Sequence, residues 1–221
     1  TRTVNQLALM AGKQKGIVYA GTFVLCLGSV IGMLRLKAVT YMVDDLPTKD
    51  KIITDLRFME SKLGGVMPFE IIIDTQKKKG LRNPAVLKKI DQFQQKLKTY
   101  PELSRSISIV DGLKWSRQAY FGNDPDAYQL PVQEEMSFIF KYANIKGQEK
   151  NKNLLSAMTD SSFSKARITM QVRDIGSVEM PLLLQRIQAD ADSIFQPKEK
   201  KINISLTGTT KLFLKANDYL V

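Results

Sequence analysis

The sequence predicts an α/β (α+β) fold: two βαβ units preceded by one transmembrane helix. Three observations predict it. Residues 16–34 form an uncharged apolar run. Residues 165–174 alternate apolar with polar side chains, the period of a half-buried strand, while residues 66–74 set Phe69, Ile71 and Ile73 one way with Ile72 on the other face, as in a helix-covered sheet. Each of those strands is followed by a helical-period segment and then by a second short strand-like word.

The apolar run, GIVYAGTFVLCLGSVIGML, is bounded by Lys13, Lys15, Arg35 and Lys37. At 1.5 Å per residue it covers roughly 28 Å, close to the ~30 Å hydrocarbon core of a bilayer. An export signal and a buried soluble helix are the alternatives. A signal's apolar centre is shorter and ends at a small-residue cleavage site, whereas Arg35-Leu36-Lys37 follows here. Gly28 and Gly32 are four apart, share a helix face and allow close approach of another helix. Frequent glycine in such helices is the plainer reading of that pair.

Asp44-Asp45-Leu46-Pro47 is a polar boundary. Ile52, Ile53, Leu56, Phe58, Met59 and Leu63 then recur at roughly helical spacing, and Gly64-Gly65 is a stop signal. The first unit follows, with a strand over 66–74, a helix over 84–99 and a second strand over 105–111. Asn83 is a cap for that helix and Pro84 its first residue. Residues 112–163 read as a connecting arm, mobile or packed on a neighbouring domain, with helical character at 113–120 and 134–142. The second unit has a strand at 165–174, a helix at 177–195 and a strand at 202–207. The two units, spanning 48–111 and 164–209, together suggest a ferredoxin-like arrangement. The sequence turns apolar again after Thr210, which reads as a chain cut before another structural element.

Composition narrows the function. The 221 residues carry a formal charge of +11, one cysteine and no histidine. A lone Cys26 excludes an intramolecular disulfide, and its place inside the apolar run points to helix packing. Without histidine there is no Ser-His-Asp or Cys-His catalysis and no His-bound zinc. Five of the 33 basic residues precede Ala38, so residues 38–221 hold 28 basic and 22 acidic groups. These are interspersed, and Lys77-Lys78-Lys79 lacks interleaved aromatics, so it reads as a solvated turn and not a nucleic-acid patch. Phosphate-loop and dinucleotide fingerprints are absent from the sequence. Asp74 and Asp111, at the ends of comparable strands, are candidates for a cation or acid–base pair; capping or solvation is the plainer reading. Asp124 and Asp126 flank Pro125 in a turn. No catalytic residue, metal site or cofactor is expected. Trp115, Tyr120, Met136, Phe138, Phe140 and Tyr142 are the candidates for a substrate route or an interface.

Several words in order carry a family resemblance. They are Asp44-Asp45-Leu46-Pro47, Leu63-Gly64-Gly65, Phe69-Glu70-Ile71-Ile72-Ile73-Asp74-Thr75 and Gly80-Leu81-Arg82-Asn83-Pro84. Ser108-Ile109-Val110-Asp111-Gly112-Leu113-Lys114, Tyr128-Gln129-Leu130-Pro131 and Leu206-Thr207-Gly208-Thr209 continue the series. Through most of its length the chain resembles the second extracytoplasmic porter segment of an RND-superfamily exporter, with its preceding transmembrane helix. It is most similar to the hydrophobe or lipid exporter branch related to the MMPL proteins.

The resemblance implies a role in proton-coupled export of lipids or other amphiphiles. It places residues 1–15 in the cytoplasm, 16–34 across a bacterial inner membrane and 38–221 in the periplasm. Its partners would be the remaining membrane helices and the first porter domain of the parent transporter, and a hydrophobic substrate. No carboxylate lies between Lys15 and Arg35, so the proton-carrying residues belong to other helices. An anchored sensory or assembly domain that binds an envelope protein is the other reading.

Overall fold

The computed structural model describes residues 15–35, 41, 51–143, 154–195, 202–208 and 210–212. The chain divides into two units, Thr1–Val39 and Thr40–Val221.

The first unit contains α1, Lys15–Arg35. Every α1 residue whose side chain is described is exposed, and Leu34 reaches 82%. By length and composition the helix is long and apolar enough to cross a membrane. Thr22 donates its hydroxyl to the Val18 carbonyl at 2.9 Å. That bond satisfies the hydroxyl inside the helix, which suits an apolar medium. Gly28 and Gly32 lie on this helix with open space where a Cβ would stand.

The second unit is mostly helical. Its elements are α2 (Lys51–Leu63), β1 (Met67–Asp74), α3 (Pro84–Leu97), α4 (Ile109–Tyr120), α5 (Met136–Ala143), β2 (Lys165–Val172), α6 (Gly176–Phe195) and β3 (Asn203–Thr207). The strands form one antiparallel sheet in the order β2-β1-β3. β1 is central, with Ile71 opposite Ile168 on one side and Leu206 on the other.

One face of this sheet is the core. Met67, Phe69, Ile71 and Ile73 of β1 are buried, as are Ala166, Ile168, Met170 and Val172 of β2. They join Leu87, Ile90, Phe93 and Leu97 of α3 and Met180, Leu183, Ile187, Ala191 and Phe195 of α6 in a single cluster. Phe93 meets Phe195 edge to face at 5.7 Å. Each large side chain buried this way contributes about 1.5–3 kcal/mol. The other face carries cross-strand pairs, Glu70 with Arg167 at 3.7 Å and Asp74 with Lys165 at 3.4 Å. These are half-exposed and worth less than about 1 kcal/mol each.

Two glycines set the entry to β1. Gly64 has φ +77, a left-handed conformation that ends α2, and its N–H donates to the Glu60 carbonyl at 2.9 Å. Gly65 passes so close to β2 that a Cβ would lie 2.6 Å from the Val172 carbonyl carbon.

The fold class expected from the sequence is corrected here. Among the described residues there are not two βαβ units in a ferredoxin-like arrangement; there is one small open sheet of three strands in a mostly helical unit. The expected strand at 105–111 is the main difference. Among the described residues this stretch and its approach make isolated bridges in place of a strand, Leu103 with Val172 and Ile107 with Thr169. Ser108 then starts a helix, not a strand. Its hydroxyl accepts from Val110 N–H at 3.1 Å, while Asp111 accepts from Ser108 N–H at 2.9 Å. This reciprocal capping box satisfies two orphan donors and commits Ile109 onward to α4.

The 112–163 stretch follows. Its described residues join this unit's own core through Leu113, Met136, Ile139, Phe140, Ala143 and Leu155. The polar stretch Lys146–Lys152 lies outside the described residues.

Candidate functional site

The aromatic candidates converge where α4 meets α5. Arg117 of α4 forms a forked bond with Glu135, just before α5, through Nε at 2.6 Å and Nη2 at 3.1 Å. Its Nη1 also donates to the Ala127 carbonyl at 3.0 Å. Glu135 Oε2 in turn accepts from Val132 N–H at 3.2 Å. The hydrogen bond from Arg117 holds the Glu135 carboxyl below its usual range, and the same bond pushes the Arg117 guanidinium up. One planar group thus ties α4 to the loop and to the start of α5.

That clamp brings rings together that are far apart in sequence. Tyr120 lies 5.3 Å from Phe121, 5.0 Å from Phe138 and 5.6 Å from Tyr142. Exposures of 49% for Tyr120, 45% for Phe121 and 39% for Tyr142 make this an outward-facing aromatic patch. Such rings offer apolar area with polar tips at low entropic cost.

Met136 and Phe140 face elsewhere. With Arg82, Pro84, Gln133 and Ser137 they line an open pocket of about 280 Å³. Arg82 stands over Phe140 at 5.6 Å and over Phe163 at 5.5 Å, and those two rings meet at 5.9 Å. Trp115 is half-buried in α4 and belongs to neither group. Thus the structure joins Tyr120, Phe138 and Tyr142, sets Met136 and Phe140 at a neighbouring pocket, and leaves Trp115 apart. Sequence reasoning missed Arg82, Phe121, Gln133, Ser137 and Phe163. Only the stop-and-cap word Gly80-Leu81-Arg82-Asn83-Pro84 pointed near the site.

Asp74 and Asp111 do not share partners. Asp74 accepts from Gln76 N–H at 2.8 Å and pairs with Lys165. Asp111 is buried in a polar network: Gln94 Nε2 donates to it at 2.8 Å, and Ser108 Oγ donates to Gln94 Oε1 at 2.7 Å. Asp124 accepts from Asp126 N–H at 3.0 Å and caps the short turn Pro125–Ala127. Among the described residues, no cluster of three or more metal-ligating side chains occurs.

Asp160 organises the loop that carries Phe163. Burial alone would raise its pKa, but bonds from Ser162, Lys165 and Ser164 hold the carboxyl well below the usual range. Its Oδ1 accepts from Ser164 N–H and Lys165 N–H, both at 2.7 Å. Ser162 and Ser164 add their hydroxyls to Oδ2.

The geometry supplies a cationic group, hydrogen-bonding side chains and aromatic surface. These can hold an amphiphilic molecule by non-covalent contacts. Comparison of the chain with protein-family models, curated proteins and solved structures returns no match.

Proposed function

We propose that the chain is a membrane-anchored extracytoplasmic module of an RND-type exporter of lipids or other amphiphiles. It acts by binding and movement, with no covalent step. The observation that carries this reading is α1, an apolar helix exposed along its described length and attached in sequence to a unit with its own core. The ordered sequence words that resemble the lipid-exporter branch and the outward-facing aromatic patch support it further. In this reading α1 crosses a bacterial inner membrane, residues 38–221 face the periplasm, and proton coupling comes from other helices of the parent transporter.

The test is reconstitution of the whole parent transporter in sealed liposomes with labelled amphiphiles. Transfer that follows an imposed proton gradient is the expected result. A folded preparation that moves none of the candidate lipids overturns the reading.

The second reading is an anchored assembly or sensory domain, favoured by the same patch, whose exposed rings suit burial against a protein. Crosslinking in intact envelopes then recovers a stable partner outside the transporter. Recovery of contacts within the transporter alone removes this alternative.

A further inference from the structure

Arg82 has an unusual setting for a surface arginine. It closes the short helical turn Gly80–Arg82, directly before the Asn83 cap and Pro84 of α3. That turn is pinned on both sides. Lys79 N–H donates to the Ser162 carbonyl at 2.9 Å and Leu81 N–H to the Phe163 carbonyl at 3.0 Å. Gly80 lies against Thr75, where a Cβ would come within 2.1 Å of the threonine hydroxyl. The loop receiving those bonds is itself gathered around Asp160. The backbone beneath Arg82 is therefore held before any ligand arrives.

The guanidinium is stacked but not neutralised. Phe140 and Phe163 sit under it. Among the described residues no carboxylate lies within ion-pair distance of it. Glu135, close in sequence to the pocket-lining Gln133 and Ser137, is held by Arg117. Among the described residues no side-chain oxygen accepts a hydrogen bond from this guanidinium, and an oxyanion can take a forked pair of bonds from it. Beside it, Gln133 and Ser137 add hydrogen-bonding groups, and Met136, Phe140 and Pro84 form an apolar wall.

We infer that this pocket is a headgroup site for an anionic amphiphile. Arg82 takes a phosphate or carboxylate group, Ser137 and Gln133 bond its remaining oxygens, and the first carbons of the chain lie along Met136 and Phe140. At about 280 Å³ the pocket is at the small end for ligand sites. It accommodates a headgroup and a short length of tail, and the rest of the tail extends beyond it. The inference rests on the exporter reading only for why such a ligand would be present, and it names the chemical class.

The test uses the full chain in phosphatidylcholine nanodiscs, with empty discs as the blank, and calorimetric titration of octyl phosphate, inorganic phosphate and octyltrimethylammonium. Octyl phosphate is expected to saturate, and the other two are not at the same concentrations. Arg82→Gln is expected to weaken octyl phosphate binding about tenfold or more. Arg82→Lys keeps the charge but loses the planar fork, and is expected to fall between the two. Ser137→Ala is expected to cost a few-fold. Circular dichroism of each variant establishes that it is folded. Octyl phosphate binding unchanged in folded Arg82→Gln overturns the site. So does equal binding of octyltrimethylammonium, or no saturation by octyl phosphate in the wild type. Equal binding of inorganic phosphate overturns the amphiphile assignment in favour of a free oxyanion site. No gradient and no other transporter part enters this assay, so its failure leaves the transport test standing.

Discussion

The sheet with α3 and α6 and the corner between α4 and α5 are built on different principles. In the first, apolar side chains of β1 and β2 face one way, and two helices cover them with their own apolar stripes. Removal of apolar surface from water is the dominant stabilising term there. In the second, a forked ion pair holds elements together while Tyr120, Phe121 and Tyr142 stay outside. The first region buries the large side chains of its facing elements; the second leaves Tyr120, Phe121 and Tyr142 exposed to solvent.

The largest expected effect breaks the first region. Phe93 is fully buried against Phe195. Phe93→Ala leaves a cavity and is expected to cost about 3–5 kcal/mol in urea unfolding followed by circular dichroism. A loss below about 1 kcal/mol means that this core collapses around the gap, and the contrast with the corner fails.

The junction of the two regions comes next. Asp111 takes hydrogen bonds from Ser108 N–H and Gln94 in a buried setting. Asp111→Ala leaves those donors unpaired and is expected to cost about 2 kcal/mol. Asp111→Asn retains an acceptor and is expected to restore part of it. If both variants match the wild type, the capping box does not hold α4.

The smallest effect sharpens the view of the corner. Glu135→Gln is expected to cost about 1 kcal/mol near neutral pH, because the Arg117 bond loses its charge partner. The sign with pH follows from a folded pKa held below the ordinary 4.5. The carboxylate's contribution is fully present above that value and fades as pH falls through the folded pKa. The gap between wild type and Glu135→Gln should therefore be full at pH 6 and narrow below about 4.5. A constant gap down to pH 3 shows that the ion pair is not its source.

This contrast explains what was legible in the sequence. Alternation at 67–74 and 165–172 is a local signal, and the structure has strands there. The Asn83-Pro84 start of α3 is equally local: Asn83 Oδ1 accepts from Ala85 N–H at 3.0 Å. At Ser104–Asp111 two local signals overlapped. Serine–isoleucine alternation suggested a strand, while Ser108 and Asp111 stood at capping-box spacing. The helix won because it caps itself and still buries Ile109, Val110 and Leu113. The two-unit fold class fell with that strand. The candidate rings at 120, 138 and 142 were named individually, but their meeting depends on a bond between residues 117 and 135. No local period encodes a bond across that separation, nor the approach of Phe163 to Arg82 across the fold.

The sheet's strand directions also bear on how the second unit responds to force. β1 begins and β3 ends at the same end of the sheet, with Glu70 opposite Thr207. Traction applied through those two strand ends therefore peels the β1–β3 ladder open one hydrogen bond at a time, instead of shearing all of its bonds together. The first stitch in the way is the Thr210 hydroxyl on the Pro68 carbonyl, at 3.0 Å. Beside it Gly208 is packed so tightly that a Cβ would come within 2.9 Å of the same carbonyl oxygen. On the opposite flank, β2 is fastened to the approach to β1 by Val66 N–H on the Val172 carbonyl at 3.3 Å. Both ladders of β1 are antiparallel, but the one with β2 runs from Met67 to Asp74 and the one with β3 only from Glu70 to Asp74, so the shorter β3 side is the one that yields first.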